Sequence, residues 1–183
     1  GRALVLVLLE DGPAHLLLLL RRHGLPPARE LLHLHLQEDA GRLLAAYPGT
    51  YLQTHVAENQ DELRWVAELF PDARSYLDVY AGHGLLGPRS VLAHGIWLDA
   101  TDRALLGRAG AQIAHSPSSN LFLGSGLMDW RGLEDSGVAV SLASDVGGGT
   151  SLSMLRTMAD AYKVQALRGQ RLSAWKSLHA ATR

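Results

Sequence analysis

Four short apolar stretches punctuate this chain from about residue 36 onward, at residues 50–56, 91–94, 111–115 and 138–142, and each runs into a polar loop and then a helical pattern. Strands this short and this apolar, alternating with amphipathic helices, specify parallel βα units and an α/β fold class. No sequence repeat underlies the alternation. The 183 residues would suffice for one ordinary domain, yet a closed barrel of eight such units typically needs about 250.

The punctuation supports the alternation. Leu43, Leu44 and Tyr47 form a helical stripe stopped by Pro48-Gly49, and residues 61–70 place Leu63, Val66, Ala67 and Phe70 on one face before Pro71. A short helix is expected at residues 75–80, then a Gly/Pro-rich loop to Pro88. Thr101 reads as the N-cap of a helix at 102–109 closed by Gly110. Residues 116–120 read as a polar loop. Further helices are expected near 127–135, at 150–167 and at 173–182.

Composition removes several classes of function. A net charge of −1 lacks the basic excess of a nucleic-acid binder, and no cysteine is available for a thiolate nucleophile, an iron–sulfur cluster or cysteine-ligated zinc. Any metal must be held by histidine and carboxylate. The apolar runs at residues 3–9 and 16–20 are broken by Glu10, Asp11, Gly12 and Pro13, so neither reaches the roughly 20 residues of a membrane span. No secretory leader pattern is present, so a cytoplasmic location is expected, without membrane or nucleic-acid partners.

His55, His94, His115 and Asp145 each stand at the C-terminal end of one predicted strand. That rim is where parallel βα folds build their active sites. A single histidine there is usually structural; four reactive residues on consecutive strands point to a site. His55-Val56-Ala57-Glu58 could bring imidazole and carboxylate together where the strand opens, the first as metal ligand and the second as proton carrier. Imidazole with the Asp145 carboxylate suits zinc or another divalent first-row ion, and metal-assisted hydrolysis is the reaction class. A catalytic zinc takes at least three protein ligands, and His55 and Asp145 are two. Gly147, Gly148 and Gly149 before a helix could alternatively cradle phosphate, but the run lacks the lysine of a P-loop. Ser116, Ser118 and Ser119 read as backbone-capping groups, and His83 and His179 as structural.

Five segments carry a resemblance to a known family: residues 54–59 (THVAEN), 86–98 (LGPRSVLAHGIWL), 115–126 (HSPSSNLFLGSG), 144–150 (SDVGGGT) and 158–165 (MADAYKVQ). In this order and at these gaps they resemble the guanine deaminases of the amidohydrolase superfamily, over about residues 37–183. The resemblance implies the C-terminal part of a (β/α)8 barrel, about its strands five to eight, and zinc-dependent hydrolysis of guanine to xanthine and ammonia. It implies His55 and Asp145 as zinc ligands, and Glu58, His94 and Asp145 as catalytic residues. Glu58 would be the proton shuttle, His94 a hydrogen-bond partner of the attacking hydroxide or substrate, and Asp145 the general base. His55, Glu58 and His94 would meet the purine. A small purine is the implied partner, with a homodimer as the assembly to test. Zinc deaminases of the other class use cysteine ligands, which this chain lacks.

Two family features are missing. The H-x-H pair of the family's first strand should lie far upstream, whereas His33-Leu34-His35 ends only 20 residues before His55 and reads as coincidental. The arginine–aromatic pair expected just before His55 is absent. Residues 1–36 are therefore expected to be a segment without family resemblance, frame-shifted or poorly ordered, and the partial barrel domain to occupy 37–183. Translating the encoding DNA in its other frames tests the shift; finding no deaminase-like stretch there would overturn it. Little or no activity is expected of these 183 residues alone. The alternatives are a non-catalytic, self-associating α/β fragment, or an amidohydrolase acting on another aminated heterocycle such as an oxidised purine or a triazine.

Overall fold

The structure, a computed structural model, describes residues 4–7 and 28–182, with side chains from residue 37 onward. In chain order its elements are β1 (Leu4–Val7), α1 (Ala28–Ala46), β2 (Thr50–Val56), α2 (Gln60–Leu69), α3 (Tyr76–Gly82) and β3 (Ser90–His94). They continue with α4 (Ala100–Ala109), β4 (Gln112–His115), α5 (Pro117–Phe122), α6 (Trp130–Asp135), β5 (Ala139–Leu142), α7 (Met154–Leu167) and α8 (Ala174–Thr182). The five strands form one sheet in sequential order, every pairing parallel. β2 to β5 are the four predicted strands, with ends shifted by no more than one residue. β1 adds an edge strand that the sequence reading leaves unassigned; four consecutive apolar residues, Leu4 to Val7, supply it. The apolar run at 16–20 lies outside the described residues.

Register aligns one buried face across the sheet. Leu52 pairs with Ser90, Thr54 with Leu92 and Val56 with His94; Leu92 pairs with Ile113, and Ile113 with Val140. All of these are buried. Because side chains alternate at a period of two, the intervening positions share the opposite face: Gln53, His55, Ala93, Ala114 and Ser141. That second face is not packed as the uniformly apolar reading would require; Tyr51 and Gln53 are exposed and Ala93, Ala114 and Ser141 only half-buried. Apart from Tyr51 and Val91, its residues are small or polar. The core lies on the other side, where Leu77, Tyr80, Leu85 and Leu106 are fully enclosed with the strand residues.

Local chemistry sets the helix ends. Asp99, not Thr101, caps α4: its carboxylate accepts from the Asp102 amide at 2.7 Å, while Asp102 accepts from the Asp99 amide at 3.3 Å. This reciprocal box satisfies two orphan donors, more than a lone threonine could. Gly110 closes α4 in the left-handed region, as predicted. Asp102 also ties the cap to α3, accepting from the Ser75 hydroxyl at 2.6 Å and from Arg74, which reaches Asp99 at 2.8 Å as well.

Three helices depart from expectation. Residues 117–122 form α5 rather than a loop, since Pro117 is tolerated in a first turn and the serines point into the protein. α7 starts at Met154, four residues beyond Thr150, so the glycine run does not open a helix as an anion cradle would. Among the described side chains of α1 the buried positions are Gln37, Ala40 and Leu44, while Leu43 and, just beyond the helix, Tyr47 are exposed. His33-Leu34-His35 is helical backbone within α1, not a strand. Among the described residues no helix is long and apolar enough to cross a membrane.

Candidate active site

The C-terminal ends of β2, β3 and β5 are bent by an unusual backbone. Among the described residues only three non-glycine residues have positive φ: Ala57 at 48°, His94 at 69° and Asp145 at 48°. Each such residue costs about 1–3 kcal/mol and persists only where its surroundings enforce it. Here they do so through the rim. The Val56 carbonyl accepts from Gly95, and that of Ala57 from Ile96 and Trp97, at 3.0–3.1 Å, tying the loop after β2 to the loop after β3.

These bends bring Glu58, His94 and Asp145 together. Nδ1 of His94 lies 3.7 Å from Glu58 Oε1, and Nε2 lies 4.0 Å from Asp145 Oδ2. The His55 ring stacks on that of His94, with centroids 5.2 Å apart and planes within 15°. His94 is 1% exposed, whereas Glu58 and Asp145 keep 17% and 30% of their side chains accessible. The imidazole is thus a fixed part of the floor and the carboxylates reach solvent. His55 and Asp145 also line a cavity of about 540 Å³ with Thr54, Ser116 and Ser144.

Supporting residues hold the carboxylates and the ring. Ser125 donates its hydroxyl to Glu58 Oε1 at 2.9 Å, and Nδ1 of His94 sits 2.7 Å from Oδ1 of Asn120. Glu62 accepts from the Glu58 amide at 2.8 Å, and Asn59 caps α2 by accepting from the Glu62 amide at 2.8 Å, so the turn presenting Glu58 is closed at both ends. Burial pushes the Glu62 carboxyl above its usual range despite these bonds, and the nearby Glu58 charge adds to the rise. Gly148 packs where a Cβ would lie 2.7 Å from Ser119 Oγ and 3.2 Å from Asp145 Oδ2, which explains glycine beside the aspartate.

His115 departs from the expectation for the four strand-end residues. It is fully buried, shares the core-facing parity of Ile113, and meets the edge of Trp130 at 5.9 Å. Burial, reinforced by His94, lowers its pKa to about 3, so it is a neutral ring under ordinary conditions. Ser116 takes its place on the cavity wall. His83 is structural as expected, its Nδ1 2.7 Å from the Val79 carbonyl. Of the serines, Ser118 bonds the Thr150 amide and hydroxyl at 2.9 and 2.8 Å, while Ser116 and Ser119 hydroxyls are buried without a partner.

For a metal, the donors are right in kind and short in number. Imidazole from His55 and carboxylate from Asp145 are zinc-type ligands on one cavity, but among the described residues no group of three histidine or acidic side chains is placed to hold an ion. The sequence names His55, Glu58, His94 and Asp145, which the structure sets side by side on one rim, and does not single out Asn120, Ser125 or Glu62. Asn120 and Ser125 sit inside the quoted 115–126 segment, so the signal was present without a role attached to it.

The sequence profile of the amidohydrolase family matches residues 33–182. The guanine deaminase of Escherichia coli strain K12 is 43% identical over 143 residues, covering 78% of this chain and 33% of that protein. Its solved structure superimposes with a TM-score of 0.77 over 79% of this chain and 34% of that one, at 42% identity. A guanine deaminase from C. acetobutylicum with guanine bound in its active site gives a TM-score of 0.78 at 29% identity, covering 81% and 37%. Atrazine chlorohydrolase TrzN from Arthrobacter aurescens, complexed with zinc, gives 0.66 at 25% identity, covering 81% and 33%. The chain spans about a third of the length of the relatives it matches.

Proposed function

This chain belongs to the amidohydrolase family, and from that premise we propose that it carries the proton-handling rim of a hydrolytic guanine deaminase. The reaction adds water to the purine carbon bearing the exocyclic amine and breaks the C–N bond, giving xanthine and ammonia. The observation that carries this reading is the convergence of Glu58, His94 and Asp145 within 4.0 Å along one rim, in a chain 43% identical to a guanine deaminase over 143 residues.

Each residue has a role suited to its surroundings. Asp145, accessible and beside His94, accepts the proton of the attacking water as general base. Glu58, steadied by Ser125, carries the other proton of the water to the ring nitrogen, where it stays in xanthine, and the proton held by Asp145 goes to the amine, which takes the C–N electron pair and leaves as ammonia. His94 cannot turn away in its buried seat, so it orients water or substrate through Nε2. His55, Glu58 and His94 form the surface that meets the purine. His55 and Asp145 would be two of the ligands of a zinc ion, which when bound lowers the pKa of water to about 7. The partner on this reading is a small purine and the compartment the cytoplasm.

A graft tests the proposal. Residues 37–183, replacing the homologous third of the Escherichia coli guanine deaminase, are expected to support ammonia release from guanine, and Glu58→Gln and Asp145→Asn to lower kcat by at least about 100-fold. A graft that folds and binds zinc without turning over guanine would overturn the reading. A second reading, a non-catalytic fragment, is favoured by the shortfall of metal donors among the described residues. Zinc content and guanine turnover of the isolated chain separate the two: stoichiometric zinc with turnover excludes the second.

A further inference from the structure

The segment 115–120 concentrates buried polar atoms that have no partner: both ring nitrogens of His115, the hydroxyls of Ser116 and Ser119, and the amide nitrogen of Asn120. Asn120 is 1% exposed, and the one hydrogen bond of its side chain is the 2.7 Å contact between Oδ1 and Nδ1 of His94. Burying an amide whose nitrogen finds nothing costs about 1–3 kcal/mol. Helix packing does not require it, because a leucine fills a similar volume. The oxygen end therefore has a use that offsets the stranded nitrogen.

We propose that Asn120 is a positioning residue that fixes the tautomer of His94, keeping the proton on Nδ1 and turning an unprotonated Nε2 toward Asp145. The proposal deepens the reading of the rim given above and rests on it for the meaning of His94. An amide oxygen only accepts, so the imidazole must donate from Nδ1, and a neutral ring then carries its lone pair on Nε2. Two groups compete for Nδ1. Glu58 Oε1 stands at 3.7 Å, too far for a hydrogen bond, while Asn120 Oδ1 is at 2.7 Å. A neutral acceptor in that seat holds the ring without taking its proton, and leaves Glu58 on Ser125. The same bond determines which edge of the ring faces Asp145, at 4.0 Å. Asn120 thus acts through His94 and hydrogen-bonds to neither carboxylate.

The test is the ring spectrum of His94 in the intact, ¹⁵N-histidine-labelled chain, from long-range ¹H–¹⁵N correlations at fixed neutral pH, with His94→Gln identifying the resonances. Wild type is expected to show the Nδ1–H form. Asn120→Leu is expected to shift His94 toward Nε2–H while circular dichroism stays unchanged, and isosteric Asn120→Asp, which keeps an acceptor, to restore Nδ1–H. An Nε2–H ring in wild type overturns the proposal without any variant, as does an Nδ1–H ring that persists in Asn120→Leu. If Asn120→Leu fails to fold, Asn120→Ala supplies the same comparison with a shorter side chain that carries no acceptor. Guanine turnover of the graft is read separately: a tautomer shift without turnover in the parent graft sinks the deaminase reading and keeps the role of Asn120.

Discussion

Two polar clusters in this molecule are built on opposite logics. Around Arg74, at the start of α3 and α4, the carboxylates of Asp99 and Asp102 and the hydroxyl of Ser75 are bonded within one network. Asp99 is held below the usual carboxylate range by the Asp102 amide and then by Arg74. Around residues 94, 115–120 and 145, most of the polar side chains are more deeply placed, yet several have no hydrogen-bond partner among the described residues, and His94 and Asp145 have left-handed backbones. The first cluster uses polarity to hold helices. The second spends stability, and such spending is characteristic of sites whose partners are a ligand or water.

Four measurements would break or sharpen this contrast, and the largest effect lies in the core both clusters lean on. Leu92→Ala, at a fully buried strand position, is expected to cost about 2–5 kcal/mol in urea unfolding. Next, Asp102→Ala removes the buried acceptor of the helix-entry network; with Arg74 39% exposed and able to re-solvate, the loss is expected near about 1.5–3 kcal/mol. Third is a pH effect at His115. Its folded pKa of about 3 lies below the unfolded value of 6.5, so between these the unfolded chain binds the extra proton. Its contribution to stability is therefore intact above pH 6.5 and falls as the pH drops, by up to about 1.4 kcal/mol per pH unit. His115→Leu should flatten that slope and leave stability at pH 7 nearly unchanged; an unaltered acid slope would contradict the burial argument. The smallest effect has the opposite sign. Asp145→Gly relieves a left-handed aspartate and is expected to raise stability by about 1 kcal/mol while abolishing turnover in the graft. A loss of stability would mean that the rim is not strained.

The strands and most helices were legible because the apolar runs are short, the Gly and Pro stops are frequent and each strand is followed by its own helix. The positions of His55, His94 and Asp145 on the rim were legible for the same reason. What was not legible is side-chain direction. His94 and His115 have the same parity as the buried residues Leu92 and Ile113, so alternation sends both into the core. Only the left-handed φ at His94 distinguishes the one that reaches Asp145 from the one that meets Trp130. The cap of α4 was misplaced by two residues because Thr101 is a good N-cap in isolation, whereas Asp99 gains a second bond from Asp102 that only the folded turn provides. Asn120 and Ser125 depend on partners 26 and 67 residues away, beyond any local pattern.

The aligned register of β2 to β4 acts as a vernier for the rim. Val56 is level with His94, and Ala93 with Ala114, so each strand delivers its last residue at a height fixed by its neighbour. Sliding β3 by a single position would exchange His94 for Ala93 at the level of Val56 and put the imidazole on the wrong face of the sheet. Length changes should therefore be tolerated in the loops at the far end of the strands, and be ruinous inside β2 or β3 even where the inserted residue is apolar. Distances at the site are set by counting residues from the bottom of the sheet.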